Sequence, residues 1–450
     1  MSGTATSLVR RSPLEAFPPA GETGSNMMEL VRAAYPLPRS ITGDGVRETL
    51  RLIGDWASLD VTEIPSGTRI FGWTVPPEWN VRGAWIADAA GERIVDLAGS
   101  PLHVIGYSEP VRLRLRGSEL RERLHSLPEQ PDWIPYRTSY YDRTWGFCVT
   151  AAQLARIIDD EEYEVVIDST LDETGSLTFG EHVIQGSEPS RGEILVWTYI
   201  CHPGMCNDNL SGIAVAAALA RWLPERTFRH DIRIVFAPST IGALCWLHHR
   251  GDAVESVRHG LLVFCAGDRG PLTYKRSRQG QADVDRAAKH VLDGRPESSL
   301  HDFVPWGSDE RQFSSPGFNL PVGCLSRTAH GLYPEYHTSA DDLDLVDPEA
   351  LADSLTAAVE ILEIIDANER LMRLDPRGEP QLGPHNLEGR MTKGLLQGGE
   401  EGRQAVLWVL NLADGDHTLL DVTERSGLPF SLVREAADVL LGVDLVRHVR

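Results

Sequence analysis

The segment from residue 193 to residue 365 constrains the fold most, because short apolar runs alternate there with apolar helices. The runs are too short for helices and predict strands covered on both faces: ILVWTYI, IRIVFAP, GLLVFCAG and VGCLSRT. Apolar residues recur at helical spacing over 210–223, 241–250 and 348–365. This alternation predicts an α/β fold with a mainly parallel central sheet flanked by helices.

The loops after these strands are the place to look for a site, since the carboxyl ends of parallel strands meet at one sheet edge. They read CHPGMCNDN, PSTIG, GDRG and YPEYHTSADD, and they hold His202, Asp208, Asp268 and His337. Each aspartate alone is as easily a helix cap, and each histidine alone a core or surface residue. Imidazoles and carboxylates at four strand ends together predict a site for a borderline cation such as zinc.

A different pattern separates two parts of this core. Over 64–163, short alternating runs interrupted by Pro and Gly predict a β-rich inserted domain. Its many aromatic side chains are expected to fill a small core, while the segment TSYYDRTWGF is also suited to line a ligand groove. The core is then expected over 26–63 and 164–373, after an aperiodic, mobile leader at 1–25.

The end of the chain resembles a separate domain. A linker over 374–393 precedes residues 394–450, whose three helical patterns and last apolar strand predict a winged helix-turn-helix. Between residues 385 and 450 there are seven Lys or Arg against ten Asp or Glu. We therefore expect packing or homo-oligomerisation from this domain rather than DNA binding.

The overall charge excludes two classes of binding partner. The 450 residues include 65 Asp or Glu against 43 Lys or Arg, a net charge of -22, which repels nucleic acid and anionic membranes. No apolar stretch approaches the roughly 18 residues of a membrane span, and the first residues lack a signal-peptide core. A cytoplasmic protein without nucleic-acid or membrane partners is expected.

Two motifs carry a family resemblance: DNLSG, which opens an apolar helix, and HTSADDLD downstream. They resemble the co-catalytic zinc aminopeptidases of the bacterial leucyl aminopeptidase and glutamate carboxypeptidase type, with their glutaminyl cyclase relatives. Nearly all of the chain after the leader looks like a bacterial aminopeptidase-like group with a β-rich insertion and a C-terminal winged helix. The strings that carry this closer resemblance are VPPEWN, LHVIGYSEP, IPYRTSYYDRTWGFC, ICHPGMCNDNLSG, GSDERQFSSPGFNLPVG and YPEYHTSADDLDLVD.

The resemblance implies roles for the four strand-end residues. Asp208 corresponds to the bridging carboxylate and His202 to the ligand before it, although the usual interval between them is much longer. Asp268 corresponds to the aspartate that completes one metal site, and His337 to a ligand of the other. We expect one tight zinc and a second, weaker one, with iron or manganese as alternatives. Two carboxylates behind His337 are expected to orient its ring: Asp341 and Asp342.

The motif PSTIG departs from the family pattern. Ser239 stands where the family has a Glu that acts as general base, and Thr240 where the wider superfamily has a Glu ligand. A serine hydroxyl cannot accept a proton from metal-bound water as a carboxylate does, and losing such a base typically costs about 10²- to 10⁴-fold. Glu310 and Glu335 are the nearest motif carboxylates, either as substitute bases or as side chains that hold loops in place.

A basic cluster follows the Asp268 loop and is expected to bind a substrate carboxylate or phosphate, unless it is a solvated strand edge: Lys275, Arg276 and Arg278. Asp309 and Tyr336 are expected to contact substrate as well. The sequence thus predicts a metal-dependent hydrolase of amide or peptide bonds, with metal-bound water as nucleophile. Its substrate is a small peptide or amide with an anionic group, and it is suited to small-molecule biosynthesis. The alternatives are an acyl-transfer or cyclising enzyme and a binding or scaffold protein.

Overall fold

The computed structural model describes residues 19–328, 331–385, 387 and 399–449. They form two compact units, Met1–Glu360 and Ile361–Arg450. The helices up to the boundary are α1 Ala20–Ala34, α2 Asp44–Gly54, α3 Gly117–Arg121, α4 Ala151–Ala155, α5 Gly212–Trp222, α6 Ile241–Arg250, α7 Asp283–Asp293, α8 Glu310–Phe313 and α9 Pro348–Ala367. The strands of the first unit are β1 Asp60–Pro65, β2 Arg69–Ile70, β3 Trp73–Thr74, β4 Glu78–Ala87, β5 Arg93–Asp96, β6 Val111–Arg116, β7 Leu124–His125, β8 Phe147–Cys148, β9 Glu162–Asp172, β10 Ser176–Ile184, β11 Glu193–Tyr199, β12 Asp231–Ala237, β13 Val257–Val263, β14 Thr273–Lys275, β15 Ser299–His301 and β16 Val322–Ser326.

The central sheet has eight strands in the order β1-β10-β12-β11-β13-β16-β14-β15. Its middle strands β12, β11, β13 and β16 run parallel to one another. Strands β10 and β14 run antiparallel to β12 and β16. Every residue of β11 is buried, in keeping with the apolar run over 194–197 at its centre. The predicted α/β fold with a mainly parallel sheet is confirmed.

A second, antiparallel sheet occupies the inserted part of the chain, in the order β5-β4-β9-β6. The predicted limits of 64 and 163 divide two strands, because β1 carries residues 64 and 65 into the central sheet and β9 continues to Asp172. The reason is pairing: β4 is ten residues long, and its register with β9 begins at Glu78 opposite Asp172.

The C-terminal unit contains helices α10 Glu400–Leu412, α11 Leu419–Ser426 and α12 Phe430–Leu441, and strands β17 Arg370–Arg373, β18 Asp414–Thr418 and β19 Val446–His448. Its sheet has the order β18-β17-β19, so the winged helix-turn-helix is confirmed. However, its central strand β17 lies before the predicted linker, in the part assigned to the core. The four residues of β17 find their partners more than 40 positions later, and local patterns carry no trace of such pairing.

The first helix starts earlier than the sequence predicted. Helix α1 begins at Ala20, inside the predicted leader, while residues 1–18 lie outside the described part of the chain, as do 386 and 388–398 of the predicted linker and tail. Among the helices that the structure describes, none combines the length and the apolar character needed to cross a bilayer.

Helix α2 is tied to the inserted sheet by one ion pair. The Arg47 guanidinium makes two hydrogen bonds to Glu78, at 2.8 and 2.6 Å. Glu78 begins β4 and also accepts a hydrogen bond from the backbone N–H of Ser176 in β10, at 2.9 Å. Arg47, against the effect of burial, lowers the pKa of Glu78 to about 2. One carboxylate therefore connects α2, the inserted sheet and the central sheet.

We expect Glu78→Gln to lower the free energy of unfolding at neutral pH by about 2 kcal/mol, because the guanidinium loses its anionic partner. Since the pKa of Glu78 is depressed, its stabilisation is complete above the unfolded pKa of about 4.3 and is lost as the pH falls towards 2. Urea unfolding of both proteins over this range measures the effect. The control is Glu63→Gln, because Glu63 bonds the same guanidinium at 3.0 Å from a half-exposed position and should contribute less than about 1 kcal/mol. Equal losses for the two variants would contradict the prediction.

Candidate metal centre

His202 lies just beyond the end of β11 and is held by its main chain and by its ring. The buried Arg39 donates from Nε to the His202 carbonyl at 2.9 Å. The ring centroid of His202 lies 5.3 Å from that of Tyr136 and 5.1 Å from that of Tyr199. These contacts give the imidazole a defined place at the carboxyl edge of the sheet.

Asp208 lies in an irregular turn, Cys206–Ser211, that leads into α5. The buried Asp341 accepts hydrogen bonds from three consecutive backbone N–H groups of this turn, including that of Asp208 at 2.9 Å. Asp341 therefore orients the turn that carries Asp208, and not a histidine ring as its position behind His337 suggested. Polar satisfaction of the buried backbone explains why a carboxylate is needed here.

Asp208 brings the two predicted histidines together. Its Oδ2 lies 3.0 Å from His337 Nε2 and 4.0 Å from His202 Nε2, and one ligand atom of each residue lies within 4.8 Å of the others. Both Asp208 Oδ2 and His337 Nε2 are buried, and apart from their contact with each other neither has a hydrogen-bond partner within the described part of the chain. Buried polar atoms ordinarily have partners, so these converging ligand atoms fit a bound cation. Two imidazole nitrogens and one carboxylate oxygen form a donor set that zinc accepts.

The protonation states also suit a cation. Burial lowers the pKa of His202 to about 4, so the ring is neutral near pH 7 and keeps a lone pair for a metal. Burial by itself would raise the pKa of Asp208, but the neighbouring His202 and His337 rings hold it well below its usual range. Tyr199, which the sequence analysis did not select, donates its hydroxyl to Asp208 Oδ1 at 2.5 Å. Its position as the last residue of β11 is the signal that could have identified it.

Asp268 does not join this group, contrary to the expectation. Its Oδ2 accepts from Asn207 Nδ2 at 3.0 Å, and its Oδ1 accepts from the Thr328 hydroxyl at 2.6 Å. Of the four expected ligands, His202, Asp208 and His337 converge, and Asp268 lies outside the group. The reason is that β13 ends at Val263, five residues earlier, so the carboxylate braces the loop instead of lying at the strand end.

A cavity of about 490 Å³ opens beside His202. Its wall is rich in aromatic side chains, namely Trp73, Tyr140, Tyr141, Tyr199, Phe264 and Tyr336. Tyr140 and Tyr141 come from the segment for which the sequence favoured a core and left a groove as the alternative. Phe147 of the same segment is fully buried in the core. Part of the segment therefore lines the cavity and part of it fills the core.

Ser239 and Thr240 follow β12 and line the same cavity. Behind them lies the fully buried Asp309, whose Oδ1 accepts from Ser239 Oγ at 3.1 Å and from Thr240 N at 2.6 Å. Its Oδ2 accepts from Trp197 Nε1 at 2.8 Å. Burial raises the pKa of Asp309 to about 6 in spite of these hydrogen bonds. A carboxylate thus stands directly behind Ser239.

Of the remaining residues predicted to act in catalysis or to bind substrate, some line the cavity and others do not. Glu310 is buried and pairs with Lys275, and Glu335 is not part of the cavity wall. Tyr336 does line the cavity and stacks on the His337 ring, with centroids 3.9 Å apart.

The predicted basic cluster does not contribute to the wall of this cavity. Lys275 bonds Glu310, Arg276 pairs with Asp302 at 3.1 Å, and Arg278 donates to Asn319 at 2.9 Å. The three residues lie at the end of β14 and in the turn that follows it, outside the described cavity wall. Arg311, which the sequence analysis did not select, is the one Lys or Arg among the described lining residues.

Comparison with known proteins agrees with this architecture. Residues 28–368 match the model of a domain of unknown function, DUF4910, and residues 369–448 match a winged helix-turn-helix. A candidate polysaccharide biosynthesis protein with an aminopeptidase-like domain, from Clostridium acetobutylicum, is 43% identical over 434 residues, or 96% of this chain and 98% of the relative.

Solved structures show the same relationship. A candidate peptidase from Clostridium acetobutylicum has a TM-score of 0.88 at 42% identity, with 96% of this chain and 97% of that chain covered. A zinc aminopeptidase from Bacillus subtilis has a TM-score of 0.56 at 14% identity, with 76% and 94% covered. The second likeness shows that the fold is aminopeptidase-like. The chain belongs to the DUF4910 family, with a C-terminal winged helix-turn-helix.

Proposed function

We propose that the protein hydrolyses an amide bond of a small molecule in a metal-dependent reaction in the cavity beside His202. The observation that carries the proposal is the convergence of His202, Asp208 and His337 on one buried point. A divalent cation held there, such as zinc, supplies polarisation of a substrate carbonyl and a water of lowered pKa. The name of the Clostridium acetobutylicum relative couples an aminopeptidase-like domain with polysaccharide biosynthesis, which favours a biosynthetic substrate.

The proton acceptor in this proposal is the pair of Ser239 and Asp309. Ser239 lines the cavity, and its Oγ donates its own proton to Asp309 Oδ1. When Ser239 Oγ takes a proton from the attacking water, the original hydroxyl proton passes to Asp309. Ser239 is then unchanged and Asp309 is neutral. The raised pKa of Asp309, about 6, suits a group that must accept a proton near neutral pH.

The C-terminal unit is proposed to act through packing or self-association and not through nucleic acid. Arg434, in the middle of α12, pairs with Glu369 at 2.8 Å and with Asp438 at 2.7 Å. The guanidinium of this helix is therefore already neutralised by carboxylates of the same unit. A helix that binds phosphates needs uncompensated positive charge.

Zinc binding depends on the converging ligands and can be measured directly. We expect the purified protein to bind about one equivalent of zinc, and Asp208→Asn or His337→Ala to weaken binding by at least about 100-fold, because each removes a ligand. Metal analysis by mass spectrometry and competition with a chromogenic chelator measure this, and also show whether iron or manganese is preferred. The matched control is Asp268→Asn, which should keep its zinc because Asp268 only braces a loop. Equal loss of zinc in Asp268→Asn, or a parent protein that cannot be loaded, would contradict the assignment.

Asp309 is the proposed final acceptor of the proton. We expect Asp309→Asn to lower kcat by about 10²- to 10⁴-fold with zinc content unchanged, because the amide cannot accept the proton. Because the pKa of Asp309 is raised, the base is active above about pH 6, so kcat/KM of the parent should fall as the pH drops through that value. The assay uses N-acyl amino acids, N-acetylated amino sugars and aminoacyl anilides.

Ser239 provides the matching variants for this assay. Ser239→Ala should reduce kcat because the path to Asp309 is interrupted, whereas Ser239→Glu places a carboxylate in the cavity and should restore turnover without Asp309. Full activity of Asp309→Asn would refute the role of Asp309. A zinc-loaded parent without turnover on any substrate would favour a binding or scaffold protein.

A further inference from the structure

We infer that Arg311 and Ser308 form a subsite for a carboxylate or phosphate group of the substrate, on the wall of the cavity beside His202. The inference rests on the proposed function in one respect, since it takes this cavity as the substrate site. It names the class of substrate that the cavity is suited to bind: an amide that carries an anionic group.

The first observation is a guanidinium without a carboxylate. Arg311 lines the cavity and donates from Nη2 to the Thr240 hydroxyl at 3.2 Å. Within the described residues it has no ion pair, and its Nε is buried without a hydrogen-bond partner. Arg233 and Arg250, two largely buried arginines of the same unit, differ from it, since both pair with Glu193, at 2.8 and 2.7 Å. A partly buried cation without an anionic partner is costly, which favours a ligand that supplies the negative charge.

The second observation is a hydroxyl on the same wall. Ser308 lines the cavity, is buried, and its Oγ has no hydrogen-bond partner in the part of the chain that the structure describes. Ser308 and Arg311 flank Asp309, whose carboxylate is directed at Ser239 and Trp197. The polar groups of the short motif GSDER thus have two different roles. The Ser308 hydroxyl and the Arg311 guanidinium are available to bind an anion, and the Asp309 carboxylate between them is part of the proposed proton acceptor.

The charges around the cavity favour an anion over a free ammonium. Glu310 is neutralised by Lys275, and Asp309 is enclosed by its three hydrogen bonds. Neither residue is part of the described cavity wall, which includes one carboxylate, the exposed Asp142. On this wall a substrate with a free amino group would therefore meet Arg311 and no buried carboxylate. An N-acylated amide with a carboxylate or phosphate meets a complementary wall.

The test is an isothermal titration of the full-length, zinc-containing protein with three probes: inorganic phosphate, succinate and N-acetylglycine. We expect at least one of them to bind the parent with a Kd of about 1 mM or lower. Arg311→Gln should weaken that binding at least tenfold, and Ser308→Ala at least threefold. Arg311→Lys should retain part of the affinity, because it keeps the charge and loses the fork of donors.

Controls separate this inference from general effects of charge and folding. Arg276→Gln removes a cation that pairs with Asp302 away from the cavity wall and should leave binding unchanged. Thermal unfolding shows whether each variant is folded, and Ser308→Ala tests the subsite without any change of charge. Tighter binding of phosphate than of the carboxylates identifies a phosphorylated substrate, and the reverse order identifies a carboxylated one.

Two results would overturn the inference. One is equal binding of the probes to the parent and to Arg311→Gln, which would place the anion elsewhere, for example at the metal. The other is no binding to the parent at about ten times the expected Kd. Neither result bears on the metal and proton-acceptor predictions, because the titration requires no turnover.

Discussion

The hydrogen bonds from three successive backbone N–H groups to Asp341 are the interaction on which the candidate site depends. Asp341 belongs to the segment after β16, 133 positions beyond Asp208, so its carboxylate joins two distant loops at the carboxyl edge of the sheet. The same segment carries His337, four residues earlier. One buried side chain therefore sets the position of the Asp208 carboxylate and of an imidazole that faces it, and the distance between these groups follows from the sheet beneath them.

The sequence predicted those parts of the site that follow from strand order. Buried runs separated by helices imply a parallel sheet, and a parallel sheet gathers its loops at one edge, so His202, Asp208 and His337 could be expected together. Asp268 also follows an apolar run, but it does not join the other ligands. The reason is that β13 ends five residues before Asp268, while apolar residues continue beyond the strand. A pattern of apolar residues shows that a segment is buried, but not where its ladder of hydrogen bonds stops.

The remaining parts of the site were beyond prediction because they are contacts between distant segments. Ser239 and Asp309 were each selected from their motifs, but they are 70 positions apart and no pattern indicated that they would be hydrogen-bonded to each other. The basic cluster was a reasonable source of positive charge on composition alone, yet Lys275 is occupied by Glu310 while Arg311 reaches the cavity. Which of several neighbouring cations is left without a partner is decided by tertiary packing, and a linear sequence does not contain that information.

The central position of β17 in the C-terminal sheet has a consequence for dissecting this chain. A cut anywhere in the segment between β17 and α10 would look harmless from its composition, but it would leave β18 and β19 without the strand to which both are paired. The two exposed edges would be free to pair with other chains, and such fragments would be prone to aggregate. A C-terminal fragment therefore has to retain β17, and with it Glu369, whose carboxylate pairs with Arg434.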